Sequence, residues 1–166
     1  MRNPSNSPGG TGALFPDTTL PLASGGSLSI DSLRVRFDLV ILMLGAGAID
    51  PAAARLLDEL APARSAIEAE EGRVLAVRVS DQGAAFNDWR WPFPLLLDAG
   101  GRFHARVGAV DAAGEPRASL FVTDRYREIY IATHPGQADW PGTADDVLQW
   151  LTFVNIQCPE CNPPEW

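Results

Sequence analysis

Lysine is absent from the 166 residues, so the 13 basic side chains are all arginines; they face 21 Asp and Glu for a formal charge of −8. That balance argues against nucleic acid as a partner, because phosphate binding needs clustered cations. Cysteine is nearly absent too. The two present, Cys158 and Cys161, stand three apart near the C-terminus, which is not the disulfide framework of a small secreted domain. The longest apolar run, Leu39 to Leu44, is far too short to span a bilayer, so no membrane partner is expected. The first twelve residues, Met1 to Gly12, hold Pro, Gly, Ser and Asn but no apolar stretch of signal-peptide type, and the expected address is cytoplasmic.

What remains is ordinary for a globular protein: 46% hydrophobic and 20% charged residues, in a length that suits one domain. The expected division is a flexible N-terminal arm over 1–13, one domain over 14–157 and a tail over 158–166. The chain centres on Asp38-Leu39-Val40-Ile41-Leu42-Met43-Leu44. It is apolar on both faces after Asp38, the pattern of a central strand covered on each side by helices. Gly45-Ala46-Gly47-Ala48-Ile49 follows, then Asp50-Pro51, an N-cap followed by proline at the first helical position. Amide groups and dipole at such a helix start favour a thiolate or oxyanion. The loop holds no Cys, Ser, Thr or His.

The helix from Pro51 is expected to bury Ala54, Leu57, Leu60 and Ala61, with Arg55, Asp58 and Glu59 outward and Pro62 dividing it from a second piece, 63–71. Gly72 reads as the residue that ends that piece in a left-handed conformation. A Val-rich strand over 73–79 completes a βαβ unit, which requires parallel pairing. Strands are further expected at 95–97, 118–123 and 128–132, the last two as an antiparallel hairpin across Asp124-Arg125-Tyr126-Arg127. Short helical segments are expected at 31–34 and 102–107. Thr143 opens a closing helix to about Gln157, with Asp146 as partner in a capping box and Val147, Trp150, Leu151 and Val154 as its buried stripe. Before all of these, residues 14–30 read as extended segments with a turn at Ser24-Gly25-Gly26.

A parallel βαβ unit followed by an antiparallel hairpin and a helix is the thioredoxin arrangement, an α/β three-layer fold with a central mixed sheet. Several stretches resemble the peroxiredoxin family (alkyl hydroperoxide reductase/thiol-specific antioxidant type) more closely. Phe15-Pro16-Asp17-Thr18-Thr19-Leu20-Pro21 looks like the family's first segment, and Ser27 to Leu33 like its next. Phe93-Pro94-Leu95-Leu96-Leu97-Asp98 with Gly101 is similar to its "FPLLxD…G" stretch, and Leu120 to Arg125 to its last strand and turn. The resemblance covers roughly 14–157 and implies redox chemistry at the helix start. Laid on the family's CxxC, the two cysteine positions fall at Ala48 and Pro51. Neither a methyl group nor a pyrrolidine ring replaces a thiolate nucleophile. The same comparison places a cis-proline near Ala118, sets Arg117 against either the family's peroxide-assisting arginine or a surface arginine, and puts Arg127 where a glycine usually turns the hairpin, hence in a left-handed conformation.

The remaining thiol chemistry, if the chain performs any, falls to Cys158-Pro159-Glu160-Cys161. That motif reads as a redox couple, as half of a zinc site shared between chains, or as an incidental pair. It follows a helix, where the dipole raises a thiol's pKa, and His104 and His134 are isolated in sequence, so no zinc site closes within one chain. No other cofactor is expected. Trp89, Trp91 and Trp140 lie in proline-bearing loops, either covering the edge of the sheet or lining a groove for a protein partner or a second copy in a homo-oligomer. The acidic set Asp58, Glu59, Glu68, Glu70 and Glu71 reads as a solvated face.

Overall fold

The computed structural model describes residues 9–80 and 86–157. The apolar run at Asp38–Leu44 forms the central strand, β3, and all seven of its residues are buried. Two short strands precede it: β1 (Thr19–Pro21) and β2 (Ser27–Ser29) pair antiparallel as a small hairpin, followed by a 3-10 turn over Ile30–Leu33. After β3 come α1 (Pro51–Leu60), α2 (Arg64–Ala69), β4 (Gly72–Ser80), β5 (Leu95–Ala99) and α3 (Arg102–Val107). The chain closes with β6 (Ala118–Thr123), β7 (Ile129–Thr133) and α4 (Ala144–Ile156).

The five-stranded sheet runs β5-β4-β3-β6-β7. β3 pairs parallel with β4, which pairs parallel with β5; β6 lies antiparallel to β3 and to β7. This is the mixed sheet expected from the βαβ unit and hairpin, with β3 shielded on both edges and both faces. Alternation along β3 sends Val40, Leu42 and Leu44 to one face, under α1, α2 and α4. Leu39, Ile41 and Met43 go to the other, among Phe15, Phe103, Val107, Phe121 and Ile129. Phe15 meets Phe103 and Phe121 edge-on at 5.7 and 5.4 Å, an arrangement aromatic quadrupoles favour.

The local signals at element ends behave as expected. Asp50 caps α1, accepting from the Ala52 and Ala53 amides at 2.8 and 3.4 Å, with Pro51 at the first helical position. Thr143 and Asp146 form the full capping box of α4. At the β6–β7 turn Asp124 Oδ1 accepts from the Tyr126 and Glu128 amides, each at 2.8 Å. Arg127 carries φ +73°, the left-handed conformation expected there, and its guanidinium donates to the Phe15 carbonyl.

Three expectations are corrected. The buried stripe of α1 is Ala53, Leu56, Leu57 and Leu60, with Ala54 and Ala61 only half-buried. The stripe rotates because the larger Leu56 claims the core and alanines follow. On α4, Trp150 is half-buried at the edge of a stripe made by Ala144, Val147, Leu151 and Val154. The left-handed residue after α2 is Glu71, at φ +57°, and Gly72 is instead the first residue of β4.

Gly72 is needed for space. A Cβ there would lie 2.9 Å from Ile67 Cγ2, from the Ile67 carbonyl oxygen and from Leu151 Cδ1. Gly72→Ala is therefore expected to lose about 1–3 kcal/mol of stability, the usual cost of overpacking. A urea-unfolding midpoint unchanged from wild type would contradict this packing.

Candidate functional site at the β3–α1 junction

Where β3 ends, the backbone must leave the sheet and enter α1 within six residues. Gly45 and Gly47 make this turn with φ of +73° and +72°, a region glycine enters without a Cβ penalty. Gly45 is buried and passes close to the next crossover: a Cβ would sit 3.1 Å from the Pro116 carbonyl oxygen and 3.3 Å from Arg117 Cα. Ala46, Gly47 and Ala48 are exposed, and Pro51 is exposed at the start of α1.

The loop is tied down from three sides. The Val79 amide donates to the Gly45 carbonyl at 3.1 Å. Arg78 donates to the Gly47 carbonyl at 2.9 Å while its other nitrogen binds both oxygens of Asp88. The third tie comes from below. The Gly45 amide donates to His104 Nε2 at 3.1 Å, and His104 Nδ1 lies 2.7 Å from Asp98 Oδ2. Because Nε2 accepts, the proton sits on Nδ1 and points at Asp98: His104 is the neutral Nδ1–H tautomer. The Asp98 carboxylate also accepts from the Phe103 and His104 amides at 3.0 and 2.9 Å, closing the start of α3. His104 is fully buried and Asp98 is 2% exposed. Burial works to raise the Asp98 pKa, but the His104 hydrogen bond and the two amides outweigh it and hold the carboxyl below its usual range.

This histidine is the feature that sequence reasoning missed. In sequence His104 stands 59 residues from its Gly45 donor. The available signal was Asp98, six residues before His104 across a double-glycine turn in which Gly100 and Gly101 both have positive φ.

The candidate residues distribute as follows. Ala48 and Pro51, on which the family's two cysteine positions fall, sit at the exposed loop tip and the first turn of α1. The cap carboxylate of Asp50 holds the Ala52 and Ala53 amides. Cys158 and Cys161 lie outside the described residues, and with them the redox and shared-zinc readings; among the described residues no group of three or more His, Cys, Asp and Glu is arranged to hold a metal. Among the described residues there is no cis peptide bond. Ala118 pairs with Leu44, while Pro116 packs against Gly45 and Gly101. Arg117 lines a cavity with Val107, Ser119 and Phe121, on the face of the sheet opposite α1.

The loop tryptophans close on their own surroundings. Trp91 Nε1 donates to Asp58 at 2.8 Å and Trp89 Nε1 to the Phe93 carbonyl at 3.0 Å, with the rings edge-on at 4.9 Å. Trp140 is half-buried against the same core. The acidic helical set is exposed except for Glu70, which is half-buried and whose Oε2 accepts from Asn155 Nδ2 at 3.3 Å. Three of the exposed members are paired: Asp58 with Arg90, Glu68 with Arg64, and Glu71 with Arg125.

With this geometry in place, solved structures can be compared. Mycobacterium tuberculosis AhpC superposes with a TM-score of 0.72 at 18% identity, over 91% of this chain and 97% of that one. The fold is thioredoxin-like, similar to that of peroxiredoxins. Peroxidoxin BcpB from Mycobacterium tuberculosis gives 0.68 at 20% identity, over 87% of this chain and 97% of its own. Xanthomonas campestris Peroxiredoxin Q gives 0.63 at 18%, over 86% and 97%. No family model and no curated protein matches the sequence. The similarity to these structures thus extends across most of the chain, at identities that establish the fold alone. No helix among the described residues is long and apolar enough to cross a membrane.

Proposed function

We propose that this is a redoxin-type thioredoxin-fold protein without peroxidatic chemistry at its β3–α1 junction, its thiol–disulfide exchange resting on Cys158 and Cys161. One observation carries the reading: the helix start that would stabilise a thiolate is capped by the Asp50 carboxylate, and the loop before it contains no thiol. A second anion there would be repelled by Asp50 and would compete for donors already used. The reaction left to the chain is oxidation of the Cys158 and Cys161 thiols by a hydroperoxide. The two sulfurs form a disulfide and give up two protons and two electrons; the O–O bond breaks, leaving an alcohol and water.

A second reading is favoured by the three ties on the loop. A junction held by His104, Arg78 and Val79 suits a non-catalytic domain that presents its surface to a protein partner or a second copy. Free-thiol titration separates the two. The redox reading expects both thiols to appear after a mild dithiol reductant and disappear with stoichiometric hydroperoxide, and Cys161→Ser to abolish the intramolecular disulfide. Thiols that stay reduced and inert under peroxide leave the interaction domain as the function. Stoichiometric zinc in the purified protein would assign the pair to a shared metal site instead.

A further inference from the structure

On the face of the sheet away from α1, a cavity of about 240 Å³ opens between the end of α3 and the β6–β7 edge. Its walls carry Arg117, Ser119, His134 and Gln137, and its floor Val107 and Phe121. No residue of the 45–51 loop lines it. Five described arginines are half-buried: Arg73, Arg78, Arg117, Arg125 and Arg127. Four of them donate to a carboxylate or a carbonyl oxygen. Arg117 is the exception. Its Nε, like that of Arg127, is buried without a partner among the described residues. Arg127 still donates through another nitrogen, while the Arg117 guanidinium donates to no described residue, in a chain with 21 acidic side chains and a charge of −8. A buried donor left unpaired costs about 1–3 kcal/mol, which an incoming acceptor recovers.

The surrounding groups are arranged as donors. Ser119 is only 5% exposed and its hydroxyl makes no hydrogen bond to a described residue. Gln137 spends its Oε1 as acceptor from the His134 amide, which leaves its Nε2 group to donate. No acid is among the described residues that line the cavity, and Asp139, two residues beyond Gln137, accepts from the Thr133 hydroxyl. One guanidinium without a second fixed cation suits a monoanion rather than a dianion. The apolar floor asks for a hydrocarbon body, and the volume lies below the roughly 300–1,000 Å³ of drug-sized sites.

We propose that this cavity binds a small organic monocarboxylate, its carboxylate on Arg117 and Ser119 and its hydrocarbon body on Val107 and Phe121. Its lining is distinct from the 45–51 loop of the β3–α1 junction.

Hexanoate is a suitable probe, titrated against the full chain by calorimetry and by amide NMR, with hexanamide and inorganic phosphate as parallel arms. Saturable hexanoate binding is expected, with shifts at the Gly108, Ser119 and Thr133 amides and weaker or no binding of the other two. Arg117→Met should weaken hexanoate roughly ten- to a hundredfold, and Ser119→Ala, which leaves the guanidinium in place, by a smaller factor. Circular dichroism checks that each variant is folded; should Arg117→Met not fold, Ser119→Ala and the hexanamide arm decide. Hexanamide binding as tightly as hexanoate, tighter binding of phosphate, shifts confined to other surfaces, or no saturation all overturn the proposal.

Discussion

Asp98→Ala is expected to destabilise the protein by about 3–5 kcal/mol, a large share of the 5–15 kcal/mol typical of a domain. The carboxylate accepts from three buried donors, the Phe103 amide, the His104 amide and His104 Nδ1, and alanine strands them all. The damage should reach the functional junction. His104 presents Nε2 to the Gly45 amide only while Asp98 keeps the proton on Nδ1. Asp98→Asn tests that step separately. An asparagine oxygen still accepts from the backbone, but if its NH₂ faces His104 the ring must move its proton to Nε2, donor against donor at Gly45. Hydrogen exchange at the Gly45 amide should therefore quicken in both variants. Slow, wild-type exchange in Asp98→Asn would show that the tautomer does not govern the loop.

The same pair sets an acid limit. With its folded pKa below the ordinary 3.8, Asp98 holds fewer protons in the folded chain than in the unfolded one just below that value. Its contribution is therefore complete above about pH 4 and is lost as pH falls through the folded pKa. Removing Asp98 removes that part of the acid transition.

The features that reasoning from residues captured are those whose causes lie within a few positions. β3 announces itself by an unbroken apolar run; Asp50-Pro51 and Thr143…Asp146 are start signals built from adjacent side chains; Asp124 folds its own turn. The left-handed conformation of Arg127 is implied only by the family resemblance, which has a glycine at that turn. What escaped depends on distance or on parity. His104 looked isolated because Gly45 reaches it only after the sheet has formed. For Arg117, position along the chain leaves open a peroxide-assisting or a surface arginine, because one residue of strand register decides which face a side chain takes. Alanine is too small to mark a helix face, so Ala54 stood in for Leu56. Gly72 was read for its conformational freedom when the packing of Ile67 and Leu151 is what excludes a Cβ.

At the opposite end of β3 from the junction, Asp38→Asn is expected to stabilise the protein at neutral pH. Asp38 is 1% exposed, and its Oδ2 has no partner among the described residues. Burial pushes the carboxyl up to about 6; Arg125 opposes the shift, while Asp124 and Glu71 add to it. The same crowding is felt nearby. Burial, with the charges of Glu128, Asp124 and Asp38, also raises the Tyr130 pKa. Between about pH 4 and 6 the folded chain keeps a proton on Asp38 that the unfolded chain has released. Stability from this group is therefore greatest at the acid end and falls as pH rises, with the full cost of a buried charge present above about 6. A shift from 3.8 to about 6 corresponds to roughly 3 kcal/mol at most. Asparagine is neutral throughout and its amide can donate toward Asp124 and Glu71, so a gain of about 1–3 kcal/mol is expected at pH 7.5 and almost none at pH 4. Urea unfolding at both pH values measures it, and an Asp38→Asn protein less stable than wild type at pH 7.5 would sink the argument. The two buried carboxylates thus slope in opposite directions, Asp98 failing below about pH 4 and Asp38 straining above it. From these groups alone, stability should peak near the pH where Asp98 is still ionised and Asp38 still protonated.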